Sequence, residues 1–386
     1  MNMLFKPAIV FVSSLLLLSF SSPDKQDLNE TPKMKKSKSK IQAAILLDVS
    51  NSMDGLIEQA KTQLWNMVSV MGKAKCEDGI PQIEIALYEY GRTNNDVAKG
   101  YVKQISPFTS DLDKLSQHLF SLTTYGGEEY CGQVIHTSLN ELSWDADPNS
   151  YKVIFISGNE DFLQGKLHYT QACNEAKKKG VIVNTIYCGD RLQGIKEHWN
   201  LLGECGNGSF TNINSDAKID DIPTPYDSTL ITLNNKLNGT YIYYGADGVK
   251  GYTLQYSMDV QNTQLSKAAG AGRIATKADA NLYSNAGWDL VDATKDDKKI
   301  LEKLDFKTLP DSLRTKSKKE LDVIITQKST ERAKIQNEIK SVSAKREAFI
   351  AKEKANKARS NTDQTLESEV EKMIREQAKR YKMRIE

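Results

Sequence analysis

The chain has 386 residues, 39% of them hydrophobic and 26% charged. That is the composition of a folded globular protein of two or three structural units, and it excludes a wholly disordered chain. The net charge of +2 is uneven: residues 1–40 carry net +4, 41–300 net −9 and 301–386 net +7. An acidic body between two basic segments reads as internal charge balance, so no nucleic acid is expected as a partner.

Residues 1–22 read as a signal peptide. Lys6 gives a weakly positive start, Ala8 to Leu18 is apolar, and Ser19-Phe20-Ser21 is a small-x-small cleavage pattern. The apolar run is too short for a membrane span. No Cys lies near the cleavage point, so no lipid anchor is expected. The chain is therefore expected to be exported, periplasmic or extracellular, with no transmembrane anchor after cleavage near Ser21 or Ser22. Residues 23–40, with Lys33, Lys35, Lys36, Lys38 and Lys40 among serines, read as a basic flexible linker.

From 41 to 215 strands alternate with helices. Gln42–Asp48 is a buried strand, followed by a helix over Gly55–Lys73 with Leu56, Ala60, Leu64, Met67, Val68 and Met71 on one face. Ile83–Tyr90 and Tyr101–Phe108 are strands joined closely enough to be antiparallel. A helix over Leu112–Leu122 has Asp111 near its cap. A loop, Tyr125-Gly126-Gly127-Glu128-Glu129, then leads into a helix ending near Leu142. Tyr151–Ser157 is the most apolar strand. Lys166–Lys179 is a helix stopped by Gly180, Val181–Cys188 a strand, Ile195–Leu202 a short helix and Ser209–Ile213 a last strand. Six strands with one hairpin predict an α/β fold, a doubly wound, mostly parallel six-stranded sheet with one antiparallel edge. Ligands of such sheets bind beyond the C-terminal strand ends, where Asp48, Gly158 and Cys188 fall.

Pro223 and Pro225 open a different region. Residues 216–300 are expected to be an extension packing on that body. Residues 301–386 are expected to be a charged helical tail. Ile335, Ile339, Val342, Arg346 and Phe349 make a stripe of about two heptads, and Leu366, Val370, Met373 and Ile374 make another. The stripes fit either a helical hairpin packed on the body or a coiled coil that joins copies into an oligomer.

The residues best placed for chemistry are Asp48, Ser50 and Ser52. One carboxylate and two hydroxyls in a single turn can hold a hard divalent cation by oxygen and leave a face open for a partner's carboxylate. The competing reading is a capping turn, with Ser52 or Asp54 satisfying the first N–H groups of the following helix. Gly126-Gly127 is no phosphate cradle, because Glu128-Glu129 follows it and no Gly-Lys-Ser/Thr is present. Cys76, Cys131, Cys173, Cys188 and Cys205 permit two disulfides and one free thiol after export, in pairings that remain open. A Cys131–Cys188 bridge would brace the rim of the strand-end site, whereas a free Cys131 at a helix start would be a reactive thiol. His118, His136, His168 and His198 are scattered, and no catalytic dyad or cofactor motif points to an enzyme.

Placed after the first strand of a doubly wound sheet, Asp48-Val49-Ser50-Asn51-Ser52 resembles the first loop of the von Willebrand factor A domain family. The strand order over 41–215 also resembles that family. So does the wording of Tyr125-Gly126-Gly127-Glu128-Glu129-Tyr130-Cys131-Gly132, Ser157-Gly158-Asn159-Glu160 and Val183-Asn184-Thr185-Ile186-Tyr187-Cys188-Gly189. The resemblance implies a binding module, not an enzyme, that captures a protein partner through a metal-ion-dependent adhesion site holding Mg²⁺ or Mn²⁺. Asp48, Ser50 and Ser52 match the first loop. Where the family has a Thr after the paired glycines this chain has Glu128, with Thr124 just before. Where the family has an Asp in the third loop it has Gly158. Glu128 and Thr124 are thus the expected further metal ligands, and a carboxylate from Glu128 would make the cation less electrophilic toward an acidic ligand. The departures also allow a structural or scaffold protein with a degenerate metal site.

Overall fold

β1 (Lys40–Asp48) is apolar along its whole length because both its faces are covered, and it sits in the middle of the sheet. Ile41, Ala43, Ile45 and Leu47 point into one core layer and Ala44 and Leu46 into the other, as the two-residue period of a strand requires. The computed structural model describes residues 39–77, 79–214, 221–357 and 366–385. The segment expected to be a signal peptide and most of the one expected to be a basic linker lie outside the described residues.

After β1 come α1 (Asp54–Gly72), the two-residue β2 (Ala74–Lys75), β3 (Gln82–Tyr90) and β4 (Lys103–Thr109). Then follow α2 (Leu112–Ser121), α3 (Cys131–Glu141), β5 (Tyr151–Gly158), α4 (Tyr169–Lys179) and β6 (Ile182–Cys188). The order in the sheet is β4-β3-β1-β5-β6-β7, where β7 is Asn207–Ile213. All neighbours are parallel except β3 and β4. The α/β fold is the doubly wound, mostly parallel six-stranded sheet expected from the sequence.

Two helix boundaries differ from expectation. The helix expected from Lys166 starts at Tyr169, because His168 caps it by accepting from the Thr170 N–H. The single helix expected over Ile195–Leu202 is two: α5 (Arg191–Lys196), capped by Asp190, and α6 (Trp199–Cys205). The break is His198, whose backbone is left-handed at φ 64° and so cannot continue a right-handed helix.

One core layer holds α3, α4 and α6 side chains, including Val134, Ile135, Ala172 and Trp199. The other holds α1 and α2 together with the C-terminal half of the chain. That half comprises α7 (Asp227–Asn238), α8 (Gly248–Leu265), α9 (Lys267–Lys277), α10 (Leu290–Asp296), α11 (Ile300–Lys303), α12 (Lys318–Lys357) and α13 (Leu366–Ala378). A two-residue β8 (Arg384–Ile385) pairs antiparallel with β2. Ile335 and Ile339 of α12 lie against α7 and α9, and Val370, Met373 and Ile374 of α13 lie against α1. Both stripes are spent on the body of the same chain.

Charged groups join the two halves. Arg273 of α9 is 1% exposed and reaches Asp113 of α2 at 2.6 Å and Asp259 of α8 at 2.6 Å. Lys277 is fully buried and meets Asp259 at 2.8 Å, and the Tyr283 hydroxyl donates to Asp113 at 2.6 Å. Near the N-terminal ends of β5 and β6, Gln377 of α13 accepts from the Tyr151 hydroxyl at 2.9 Å and donates to Asn184 at 2.6 Å.

Candidate functional site

β1, β5 and β6 end side by side at Asp48, Gly158 and Cys188. Parallel strands end in loops at one edge, and three loops meet over Asp48. The first loop is stitched to the Gly126-Gly127 loop by backbone bonds, from Tyr125 N–H to Val49 C=O at 2.8 Å and from Asn51 N–H to Gly126 C=O at 3.3 Å. Its own turn is closed by Met53 N–H donating to Ser50 C=O at 3.1 Å.

Asp48 is fully buried. Its Oδ1 accepts from the Ser50 N–H at 2.8 Å, while its Oδ2 has no hydrogen-bond partner. Ser50 is 3% exposed and its hydroxyl, which faces Asp48 and Glu129, makes no hydrogen bond of good geometry. Two buried polar atoms left open at one point are uncommon, since each costs about 1–3 kcal/mol when unsatisfied. The capping reading does not account for them. α1 has no side-chain cap, the Ser52 hydroxyl accepts from Asn159 at 3.1 Å, and Asp54 accepts from the Thr124 hydroxyl at 2.6 Å.

The second loop departs from the sequence expectation in phase. Glu128 is exposed, and its carboxylate accepts from the Tyr130 hydroxyl at 3.1 Å. Glu129, one residue on, is 3% exposed and turns toward Ser50 and Asp48. The reason is local. Glu128 pairs with Gly91 in an isolated antiparallel bridge, and successive side chains in extended backbone point to opposite sides. Glu129 is the carboxylate that the structure brings to Asp48. Thr124 stands at the margin through Asp54, and Ser52 and Asn159 form the exposed lip.

Two glycines make room for this arrangement. Gly91 has φ 85°, and a Cβ there would fall 2.8 Å from Asp48 Oδ1 and 3.2 Å from Glu129 Cγ. A Cβ on Gly158 would fall 3.0 Å from Asp48 Oδ2 and 2.5 Å from the Tyr90 hydroxyl. The third-loop position thus has no space for an acidic side chain, because Tyr90, donating to Ser157 C=O at 2.9 Å, fills it. Tyr90 and Gly91 were not among the residues singled out from sequence, since a strand-ending Tyr-Gly looks like any other.

The electrostatics are those of carboxylates short of a counter-charge. Burial pushes Asp48 up to about 7, with Glu129 and Glu160 adding to the rise against the Ser50 N–H. Burial and the neighbouring Glu160 likewise push Glu129 up to about 7. Among the described residues no group of three or more His, Cys, Asp and Glu is spaced to hold a metal by those side chains alone. The set here is mixed: two carboxylates, the Ser50 hydroxyl and the Ser52 hydroxyl. Hard oxygen donors, two of them lacking partners, fit a hard divalent cation.

The thiols are not part of this chemistry. The Cys131–Cys188 bridge expected to brace the rim is absent, and both are free and buried. They belong to different core layers, Cys188 on the α1 side and Cys131 on the α3 side, so the sheet stands between them. Burial raises the Cys131 thiol well above its ordinary range, which leaves it protonated, with its sulfur 3.8 Å from the Tyr90 hydroxyl, and not a reactive thiolate. His136 and His198 are engaged elsewhere, with Glu175 at 2.8 Å and Asp161 at 3.0 Å.

Comparison with known families matches residues 44–224 to the von Willebrand factor type A domain. No curated protein matches the chain. Among solved structures, an aerotolerance-related membrane protein from Bacteroides fragilis NCTC 9343 is 18% identical, with 46% of this chain and 93% of that chain covered and a TM-score of 0.32. A von Willebrand factor type A protein from Catenulispora acidiphila is 12% identical, covering 46% of this chain and 39% of that one at a TM-score of 0.34. Proximal thread matrix protein 1 from the mussel byssus, with a zinc-occupied MIDAS motif, is 12% identical, covering 45% and 42% at a TM-score of 0.32.

Proposed function

The chain carries a von Willebrand factor type A domain over residues 44–224, and from that premise we propose that it is a binding module that captures a protein partner through a divalent-cation centre. Asp48, Ser50 and Ser52 hold the cation, Glu129 faces it from the second loop, and Thr124 fixes the first turn of α1 through Asp54. Glu128 lies on the rim. Mg²⁺ or Mn²⁺, when bound, supplies an electrophilic point for an oxygen of the partner. The observation that supports this reading is the pair of buried atoms, Asp48 Oδ2 and Ser50 Oγ, that the protein leaves without partners.

The module is read as exported, on the strength of residues 1–22, and N-terminal sequencing of the mature protein tests this. Among the described residues no helix is long and apolar enough to cross a membrane. The test of the cation centre is calorimetry with Mg²⁺ and Mn²⁺, followed by capture from envelope extract with Mg²⁺ or with chelator. Wild type is expected to bind the ion and to release its partner into chelator, and Asp48→Ala to do neither. The crowding at Gly158 favours one second reading, a scaffold with a degenerate site. It would stand if the ion did not bind and Asp48→Ala left capture unchanged.

A further inference from the structure

α8 carries its polarity reversed. The side chains it buries include Gln255, Asp259 and Asn262, whereas Val249, Tyr256 and Val260 are 61%, 59% and 38% exposed. A helix on the surface of a globular body ordinarily turns its apolar side in. The buried ionic cluster sets the rotation. Asp259 meets Arg273 at 2.6 Å and Lys277 at 2.8 Å, and Asn262 accepts from the Trp65 indole N–H at 2.6 Å. With its polar groups spent inward, α8 presents its apolar side to the outside. Single exposed apolar residues are ordinary, but these are in register. Val249, Thr253, Tyr256, Val260 and Thr263 are all exposed and follow a 4-3-4-3 spacing, the pattern of a helix face that packs on another helix. None of the five is charged, although residues 41–300 carry net −9.

We infer that this stripe is the contact between two copies of the chain, their α8 helices antiparallel about a two-fold axis near Tyr256. The charge distribution names the occupant. A partner of different chemistry would be steered to an acidic body by opposite charge, and the stripe offers none to steer by. A second copy brings the same acidic charge, and across the body it meets no repulsion where both faces are uncharged. A lipid surface is disfavoured as well. A helix that lies on one flanks its apolar side with Lys and Arg, and α8 has only Lys250. A two-fold contact also requires a surface that matches itself. Turned end for end, the stripe sets Val249 against Thr263, Thr253 against Val260 and Tyr256 against its own copy, neutral on neutral throughout. Its span of about 21 Å is short for a permanent interface, so the dimer is weak and reversible.

The test is sedimentation equilibrium of the full chain from about 1 μM to about 1 mM, run in chelator so that the proposed cation centre plays no part. The mass should rise from one copy to two across that range. Tyr256→Lys, at an exposed position, should raise the dissociation constant at least about tenfold, and Val260→Lys should act in the same direction. A short bismaleimide should link two copies of Tyr256→Cys beyond the wild-type background. It should not link Val249→Cys, whose counterpart is Thr263. A chain that stays a single copy up to about 1 mM, whether or not it binds phosphatidylcholine vesicles, overturns the inference. So does a dimer that ignores both lysine substitutions. Equal linking of the two cysteine variants overturns the antiparallel arrangement. Thermal unfolding by circular dichroism establishes that each variant is folded.

Discussion

Two buried acidic clusters among the described residues are opposites. Around Arg273 and Lys277, Asp113 and Asp259 have a cation, an amide or a phenol on every oxygen. Around Asp48, the carboxylates of Asp48 and Glu129 have no cation and one oxygen has no partner at all. Burial opposes the charged form of Asp259, but Lys277 and Arg273 hold it well below the usual carboxylate range. Burial acts on Asp48 in the same direction, and with acidic charges around it and only Ser50 bonds to oppose them it carries the group up to about 7. Protein interiors do not leave charge unpaired without reason. The first cluster is completed by the chain and serves the fold. The second is left open by the chain, and under the proposed function a cation completes it.

Breaking the completed cluster should cost most. Arg273→Met strands Asp113 and Asp259 in the interior, and urea unfolding should show a loss of about 3–5 kcal/mol. Next comes the docking of α13. Ile374 is fully exposed to the core and not to solvent, so Ile374→Ala should cost about 2–5 kcal/mol in the same assay. A helix that merely paired with another copy would instead show a loss that depends on protein concentration.

The open cluster should respond to ions where the closed one does not. At about a hundred times the dissociation constant, Mg²⁺ should stabilise wild type by about 2.7 kcal/mol in thermal unfolding. Asp48→Asn should abolish that gain and lose less than about 1 kcal/mol in chelator, since it removes a buried charge that has no partner. Acid should separate the clusters by pH. The folded value of Asp259 is depressed, so its contribution is fully present above the ordinary carboxylate value of 3.8 and is lost as pH falls below it. Stability measured from pH 6 to about 2 should therefore drop more steeply in wild type than in Asp259→Asn. The smallest effect belongs to an exposed pair, Lys114 with Asp111 at 3.1 Å. Lys114→Ala should move stability by no more than about 0.5 kcal/mol.

The sheet was legible because its signals are local. Apolar runs such as Tyr151–Ser157 mark covered strands, Gly180 marks a helix end, and the short join after Tyr90 marks a hairpin. The split at His198 was not legible, because a left-handed residue there has no glycine to announce it. At the site, Asp48, Ser50 and Ser52 stood out through their spacing together with their place after the first strand of the sheet. The choice between Glu128 and Glu129 was not legible, since adjacent carboxylates differ only in the phase of the backbone, and that phase is set by pairing with Gly91, just past the end of β3. Gly158 reads in sequence as a missing acid. In three dimensions it is the residue that lets Tyr90 and Asp48 approach. The C-terminal stripes could be recognised as apolar faces, but what they would cover lies far away in the chain and leaves no trace nearby.

Gln377 lies 226 residues from Tyr151 and 193 from Asn184 along the chain. Helix α13 therefore closes the sheet near the start of β5 and β6, strands made long before it. Contacts of such long range are slow to form, because the loop between them must be closed first. A chain that emerges N-terminus first cannot complete this seam until α13 has been released. The α13 seam is therefore a late step in folding, and the strands it joins must find their places without it.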